Sequence, residues 1–212
     1  MRTFIYKLKR IIMCTLGLIL AFSLSITISC DSKEKPDPML LEKAQAGDAQ
    51  SQYSLANWYA SHKQNDNYIE WLTKAAEQGF VDAQYDLAVS YDEGDGTRKR
   101  KSLAVKWYMR AIENGDGDAS YNLALMYDHG DYVSIDKAKA FQYYLLAAQR
   151  GHVKAMHNVG MSYYEGEGVA KDINEALKWL KIAADSGVER SRYTYEVICN
   201  ELNRNTKETA SP

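Results

Sequence analysis

The chain has 212 residues, a length that suits one solenoid or one ordinary domain. Apolar residues make up 46% and charged residues 25%, which are ordinary values for a globular protein and exclude a wholly disordered or collagen-like chain. The net charge of -2 gives no electrostatic footprint for nucleic acid, so no nucleic-acid partner is expected.

The first thirty residues have the layout of an export signal. A leader with four basic residues precedes an almost wholly apolar run from Ile11 to Ile28. A charged leader followed by such a run is typical of a signal peptide, and we assign it to residues 1–29. The run ends in Ser29-Cys30-Asp31, and residues 30–38 form a polar linker.

The junction at Cys30 resembles the signal of a bacterial lipoprotein, in which cleavage leaves this cysteine as a lipid-bearing N-terminus. One departure is Thr27, because such signals usually have Leu three residues before the cysteine. A plain cleaved signal and an uncleaved anchor of ~18 residues remain alternatives. The basic leader stays on the cytoplasmic side. The sequence therefore predicts an exported, membrane-anchored lipoprotein that faces the periplasm or the cell exterior.

Internal repetition dominates the rest of the chain. Glycines, alanines and large aromatic residues recur at intervals of 36 residues, a period typical of solenoids. The clearest columns are Gly79, Gly115, Gly151 and Gly187; Ala75, Ala111, Ala147 and Ala183; Trp71, Trp107, Tyr143 and Trp179; and Tyr91, Tyr127 and Tyr163. An earlier copy opens at Gly47 and reaches Trp71 four residues early, which predicts a shorter loop between its helices.

Each period is predicted to form two helices. In the third copy, Ala119, Leu123 and Tyr127 follow one another at helical spacing, and a second apolar stripe ends before Gly151. The recurring glycines are placed where a left-handed residue would end each second helix. Asp172 with Glu175 resembles a capping box at the start of such a helix. One helix pair cannot bury both of its apolar faces, so the pairs must stack.

The internal consensus is Ala-x-Tyr-x-Leu-Ala-x-x-Tyr-x-x-Gly-x-Gly followed by Lys-Ala-x-x-Trp-x-x-x-Ala-Ala-x-x-Gly. It resembles the Sel-one-like repeat, a relative of the tetratricopeptide repeat. This resemblance implies an all-α, right-handed superhelical solenoid of two-helix repeats. We place about four repeats and capping helices in residues 39–204, and a disordered tail in residues 205–212. The turns depart from the consensus at Tyr132, in place of a glycine, and at Arg100, in place of a capping aspartate.

The resemblance also implies a binding groove. In tetratricopeptide relatives, the residue before the Leu-Gly/Ala pair of the first helix points into the concave surface. Aromatic rings supply contact area at little entropic cost, and amides can bond a peptide backbone. The alternative for the aromatic residues is packing within the solenoid. The candidate groove residues are Tyr85, Asp86, Tyr121, Asn122, Leu125, His157, Asn158 and Met161.

The patterns that could carry chemistry are weak. His152 and His157 are five residues apart, off the spacing that places two metal ligands on one helix face, so no metal or other cofactor is expected. Ser134 and Lys137 match Ser-x-x-Lys, but the partner motifs of penicillin-recognising enzymes do not occur. We interpret the acidic turns as solvated, and the basic run at residues 98–101 as a solvated loop or a docking patch for acidic groups.

The sequence therefore predicts a non-enzymatic scaffold that binds a protein or peptide in its groove and contacts a membrane through Cys30. No small-molecule substrate is expected. One alternative is an immunity protein that neutralises a secreted toxin, because some exported members of the family act in this way. The other is a cell-wall or β-lactamase-like hydrolase.

Overall fold

The computed structural model describes the backbone of residues 35–209 and the side chains of residues 35–204. The predicted signal peptide and Cys30 lie outside the described residues. Contacts divide the chain into two units, residues 1–38 and Met39–Pro212. The described residues contain ten α-helices and no strand: α1 Pro38–Gln45, α2 Ala49–Ser61, α3 Asn65–Glu77, α4 Val81–Val89, α5 Lys101–Glu113, α6 Gly117–His129, α7 Lys137–Gln149, α8 Val153–Glu165, α9 Ile173–Asp185 and α10 Glu189–Thr209.

The second unit is a stack of helix pairs. The principal contacts between described helices join consecutive helices, from α2 with α3 to α9 with α10. The pairs are α2–α3, α4–α5, α6–α7 and α8–α9, and α10 follows them as a single long helix. The all-α solenoid of two-helix repeats that the period predicts is thereby confirmed.

The recurring glycines end the second helix of each pair. Gly115 and Gly151 have φ of 97° and 91°, a left-handed conformation that residues with a Cβ rarely adopt. The next residue donates its N–H five residues back, as Asp116 does to the Ala111 carbonyl at 2.9 Å, which satisfies a carbonyl at the helix end. The glycine column therefore sets where each chain reversal occurs.

The longer loops inside the pairs are closed by a repeated hydrogen bond. The N–H of Arg100 donates to the carbonyl of Tyr91 at 2.8 Å, and the same bond recurs from Asp136 to Tyr127 and from Asp172 to Tyr163. In the first pair the loop is only residues 62–64, as the early Trp71 predicts. In the second pair, α4 passes into a π-helical turn, Ser90–Gly94, before the loop.

Most helix starts in the stack carry a side-chain cap. Asp48, Asp116, Asp136 and Asp172 each accept a hydrogen bond from a backbone N–H of the first turn. The Asp172 carboxylate accepts from Glu175, the cap that the capping-box pattern predicts. At α5 the capping position holds Arg100, which makes no side-chain cap.

The core follows the sequence columns. Ala75, Ala111, Ala147 and Ala183 are fully buried, which lets neighbouring helices approach closely. Leu87, Leu123 and Val159, which share one column, are also fully buried. Burying such a side chain stabilises the fold by about 1.5–3 kcal/mol relative to leaving it exposed. The buried residues form clusters between neighbouring helices, and the fold contains no disulfide among the described residues.

The C-terminal region differs from the sequence prediction in one respect. Helix α10 continues to Thr209, whereas the sequence predicted a disordered tail from residue 205. Regular i, i+4 backbone bonding extends the helix because no proline or glycine interrupts residues 189–209. Cys199 on this helix is half-buried and is a free cysteine among the residues that the structure describes. Within the described part of the chain, no helix is both long and apolar enough to cross a bilayer.

Candidate functional site

Two neighbouring cavities lie at junctions between helix pairs. The larger lies between the third and fourth pairs, and the smaller between the second and third. The larger has a volume of about 300 Å³ and the smaller about 250 Å³. They share Leu125 and His129 of α6 in their walls, so together they form one continuous surface, which we call the groove. The larger cavity is lined by Tyr121, Leu125, Asp128, His129, Lys137, Ala140, Phe141, Tyr144, Asn158, Met161, Ser162, Glu165, Glu167 and Arg190. The smaller is lined by Asp92, Glu93, Tyr108, Asn122, Leu125, Met126, His129 and Asp131.

The two cavities repeat the same arrangement at an interval of 36 residues. Asp92 and Tyr108 in the smaller cavity correspond to Asp128 and Tyr144 in the larger, and Asn122 corresponds to Asn158. The stacking of like repeats therefore produces like cavities, one for each junction between repeats.

An ion bridge stands beside each cavity. The Lys137 ammonium lies 2.6 Å from Asp128 of its own repeat and 3.1 Å from Glu167 of the next. One repeat earlier, Lys101 contacts Asp92 at 2.7 Å and also bonds Asp131. Hydrogen bonds from Lys137 to Asp128 and Glu167 raise the pKa of this ammonium, so it stays protonated.

A buried tyrosine completes each bridge. The Tyr144 hydroxyl donates to Asp128 at 3.1 Å, and the Tyr108 hydroxyl donates to Asp92 at 3.3 Å. Burial raises the pKa of Tyr144, and the charge of Asp128 raises it further, so the phenol remains a donor. Each aspartate thus holds a lysine with one oxygen and a tyrosine with the other.

Five of the eight candidate groove residues lie in the walls of the cavities: Tyr121, Asn122, Leu125, Asn158 and Met161. Their polar groups already have partners in the solenoid. The Asn122 amide donates to the hydroxyls of Tyr85 and Tyr108, each at 3.3 Å. The Asn158 carbonyl oxygen accepts from Arg190 at 3.4 Å, and the Tyr121 ring stacks on His152.

The other three candidates lie outside both cavities. Tyr85 is half-buried and accepts from Asn122, while Asp86 accepts from the Tyr53 hydroxyl at 2.8 Å. Burial and the neighbouring carboxylates raise the pKa of Asp86. His157 is buried, and its Nδ1 is 2.8 Å from the Ser191 hydroxyl of α10. In place of an exposed groove position, His157 therefore occupies the packing interface with the last helix.

Sequence reasoning missed the residues that build the ion bridges. Asp128, Lys137 and Glu167 are not among the groove candidates, and we interpreted the acidic turns that hold Asp92 and Glu167 as solvated. Glu93, Glu165 and Glu167 are exposed as expected, but Asp92 and Glu167 also form ion pairs with lysines, which that interpretation did not include. The signal was present as columns of like charge at the 36-residue interval: Asp92 and Asp128, Lys101 and Lys137, and Asp131 and Glu167.

The contacts of Lys137 and His152 do not favour a Ser-x-x-Lys catalytic site or a metal site. A general base in a Ser-x-x-Lys mechanism must be able to take up a proton, whereas Lys137 is held protonated by two carboxylates. His152 caps α8 by accepting from the Ala155 N–H. Among the described side chains, no group of three or more His, Cys, Asp and Glu residues is arranged to hold a metal ion.

Comparison with known proteins identifies the repeat. The Sel1 repeat model matches residues 69–80, 81–116, 117–152 and 153–188, more than half of the chain. No functionally curated protein matches the sequence. The Sel1 repeat fold is typical of protein–protein interaction scaffolds, and proteins of this kind are generally non-catalytic.

Solved structures agree with this assignment. A protective antigen of uropathogenic Escherichia coli with an SLR fold is 34% identical over 72% of this chain, with a TM-score of 0.69. A Sel1 repeat protein from Oxalobacter formigenes is also 34% identical over 72% of the chain, with a TM-score of 0.66. The matches cover 34% and 64% of those two proteins, so this chain spans less than two thirds of either. Cysteine rich protein B of Helicobacter pylori is 25% identical over 62% of this chain, with a TM-score of 0.50. This match covers 95% of the Helicobacter pylori protein. The chain belongs to the Sel1 repeat family.

Proposed function

We propose that this chain is an extracytoplasmic scaffold, tethered to a membrane through a lipid on Cys30, that binds a protein or peptide in the groove. The observation that carries the binding part is the pair of cavities with the same lining one repeat apart. The groove is built on packed helices, so its shape exists before a partner arrives and binding costs little ordering entropy.

The groove offers both polar and apolar contacts. Leu125 and Met161 are half-buried in its walls, and the Tyr121 ring lies beside them. Asn158 and Ser162 supply amide and hydroxyl groups that can bond a peptide backbone. Such a mixture suits a peptide or an exposed protein segment better than a small apolar ligand.

Site-specific photo-cross-linking in cells tests the groove. A photoreactive phenylalanine at Leu125 or at Met161 should form an adduct with a partner protein. The control is Lys106, which is exposed on α5 and lines neither cavity. Absence of an adduct at both groove positions, or an equal adduct at Lys106, would contradict binding in the groove.

The tether is tested by a cysteine substitution. Cys30→Ser should abolish labelling by a palmitate analogue and release the chain from the membrane fraction, because the proposed lipid is attached to that thiol. Cys199→Ser is the matched control and should leave both results unchanged. A wild-type chain that stays in the membrane fraction without being labelled would favour the uncleaved anchor instead.

A further inference from the structure

The walls of the groove carry an excess of negative charge. Six carboxylates line the two cavities, against the two lining cations Lys137 and Arg190 and the Lys101 ammonium that pairs with Asp92 and Asp131. The net charge of this surface is therefore about -3, although the whole chain has a net charge of only -2. The six carboxylates are those of Asp92, Glu93, Asp128, Asp131, Glu165 and Glu167.

Two of these carboxylates have no cation of their own. Glu93 and Glu165 are exposed, and no described Lys or Arg nitrogen lies within 4.0 Å of either. Glu93 lies at the wall of the smaller cavity and Glu165 at the wall of the larger. Each cavity therefore presents one uncompensated acidic group to solvent.

The ion bridges show which chemistry this surface accommodates. An ammonium already sits between carboxylates of successive repeats at both junctions, supplied by Lys101 and Lys137. The spacing of acidic groups from neighbouring repeats thus suits a bound cation. A guanidinium or ammonium from outside the chain would meet the same kind of acceptor at Glu93 and Glu165.

Apolar side chains lie among the polar groups that line the groove. Leu125 lies between the cavities, and Phe141 and Met161 line the larger one. Long basic side chains bury their aliphatic stems along such a surface while the charged end reaches a carboxylate. Aspartate and glutamate side chains have no comparable stem, and their charge would be repelled here.

We propose that the groove binds an extended peptide segment that carries at least two arginine or lysine side chains, one directed into each cavity. This inference rests on the proposed scaffold function and specifies the chemistry of its partner. The apolar side chains of Leu125, Phe141 and Met161 contact the stems, Glu93 and Glu165 receive the cations, and the ion bridges keep the two walls in place.

A phage library of random 12-residue peptides, selected on the full chain, tests the proposal. The selected peptides should be rich in Arg and Lys. Their affinity should fall when the salt concentration is raised from 50 to 200 mM, because ions screen exposed charges. Replacing the basic residues of a selected peptide by citrulline or by norleucine should remove most of the binding.

Matched variants locate the contact. Glu93→Gln and Glu165→Gln should each weaken a selected basic peptide by about 2- to 5-fold, the size expected for one exposed ion pair. Glu113→Gln removes an exposed acid of α5 outside both cavities and should leave the affinity unchanged. Equal loss in all three variants would overturn the proposed site.

Cross-linking separates failure of this inference from failure of the scaffold function. If the Leu125 and Met161 adducts form and the attached segment of the partner is acidic or uncharged, the scaffold function stands and the basic-peptide inference is overturned. If neither position yields an adduct and the library yields no binder, both proposals fail together.

Discussion

The Lys137 ammonium reaches back nine residues to the Asp128 carboxylate at 2.6 Å. The same ammonium contacts Glu167, which lies in the turn of the following repeat. One side chain therefore closes the loop of its own helix pair and ties that pair to its neighbour. Lys101 does the same one repeat earlier, through Asp92 and Asp131. The charges thus support the junctions at which the cavities form.

Removing Asp128 should destabilise the chain. Asp128→Ala deletes the acceptor of Lys137 and leaves the buried Tyr144 hydroxyl without its carboxylate. We expect the free energy of unfolding to fall by about 1–3 kcal/mol, the cost of an unsatisfied buried polar group. Urea unfolding followed by circular dichroism measures it. Asp185→Ala, which breaks an exposed pair with Lys181, should change stability by less than about 0.5 kcal/mol. Similar losses in the two variants would contradict a special role for the bridge.

Replacing Tyr132 by glycine should stabilise the chain. Tyr132 has φ of 68°, in the left-handed region, while Gly96 and Gly168 occupy the same column. The left-handed conformation costs a residue with a Cβ about 1–2 kcal/mol, and glycine avoids this cost. Part of the resulting gain in stability is lost because glycine has more conformational freedom in the unfolded chain. Since Tyr132 is 61% exposed, little packing is lost, and Tyr132→Gly should gain about 1 kcal/mol in urea unfolding. A decrease would show that the Tyr132 ring makes stabilising contacts.

Gly160 should resist replacement by alanine. A Cβ at this position would lie 2.8 Å from Leu180 Cγ and 3.2 Å from the Ala176 carbonyl oxygen. Leu180 is fully buried and cannot move aside without repacking. Gly160→Ala should lower the free energy of unfolding by about 1–3 kcal/mol, although alanine favours helix in general. The other repeats have alanine in this column, at Ala56, Ala88 and Ala124. Unchanged stability of Gly160→Ala would contradict the prediction and would mean that α9 can move away from α8 at little cost.

Stability should decline in mild acid because of His157. Burial, together with the smaller effect of the Arg190 charge, lowers the pKa of this imidazole from 6.5 to about 4. Between these two values the unfolded chain binds a proton that the folded chain does not, so unfolding becomes easier as the pH falls from 6.5 toward 4. Above pH 6.5 the imidazole is neutral in both states, so His157 does not lower the stability of the folded chain there.

Urea midpoints at pH 7.5 and pH 5.0 measure the effect. His157→Gln should show a smaller difference between the two midpoints than the wild type, because glutamine does not titrate. Gln149→Ala is the control, because this exposed side chain has no titratable group and its removal should leave the difference unchanged. A pH dependence identical in all three proteins would exclude His157 as its source.

The sequence predicted the architecture because the architecture is periodic. The glycine and alanine columns follow directly from the chain reversals and close helix contacts that they permit, and these features need no knowledge of the distant fold. The left-handed glycines, the Asp172 cap and the short first loop all agree with the structure.

The site was less predictable because it depends on loop geometry. Lys137 meets Asp128 only because the loop between α6 and α7 folds back on itself, a path that helical periodicity does not describe. The burial of His157 depends on α10, which departs from the consensus and supplies Ser191 as a partner. Residues whose surroundings are built by another repeat thus need the three-dimensional structure.

Because the contacts join each repeat mainly to its neighbouring repeats, the chain is also extensible. If residues 117–152 were duplicated in tandem, α7 would be followed by a second copy of α6 where it now meets α8. Lys137 would then contact Asp131 of the inserted copy in the position that Glu167 now fills, so the chain would gain one more ion bridge. Lengthening by whole units would add one more cavity of the same kind, and the span of the binding surface could grow while its spacing stays fixed.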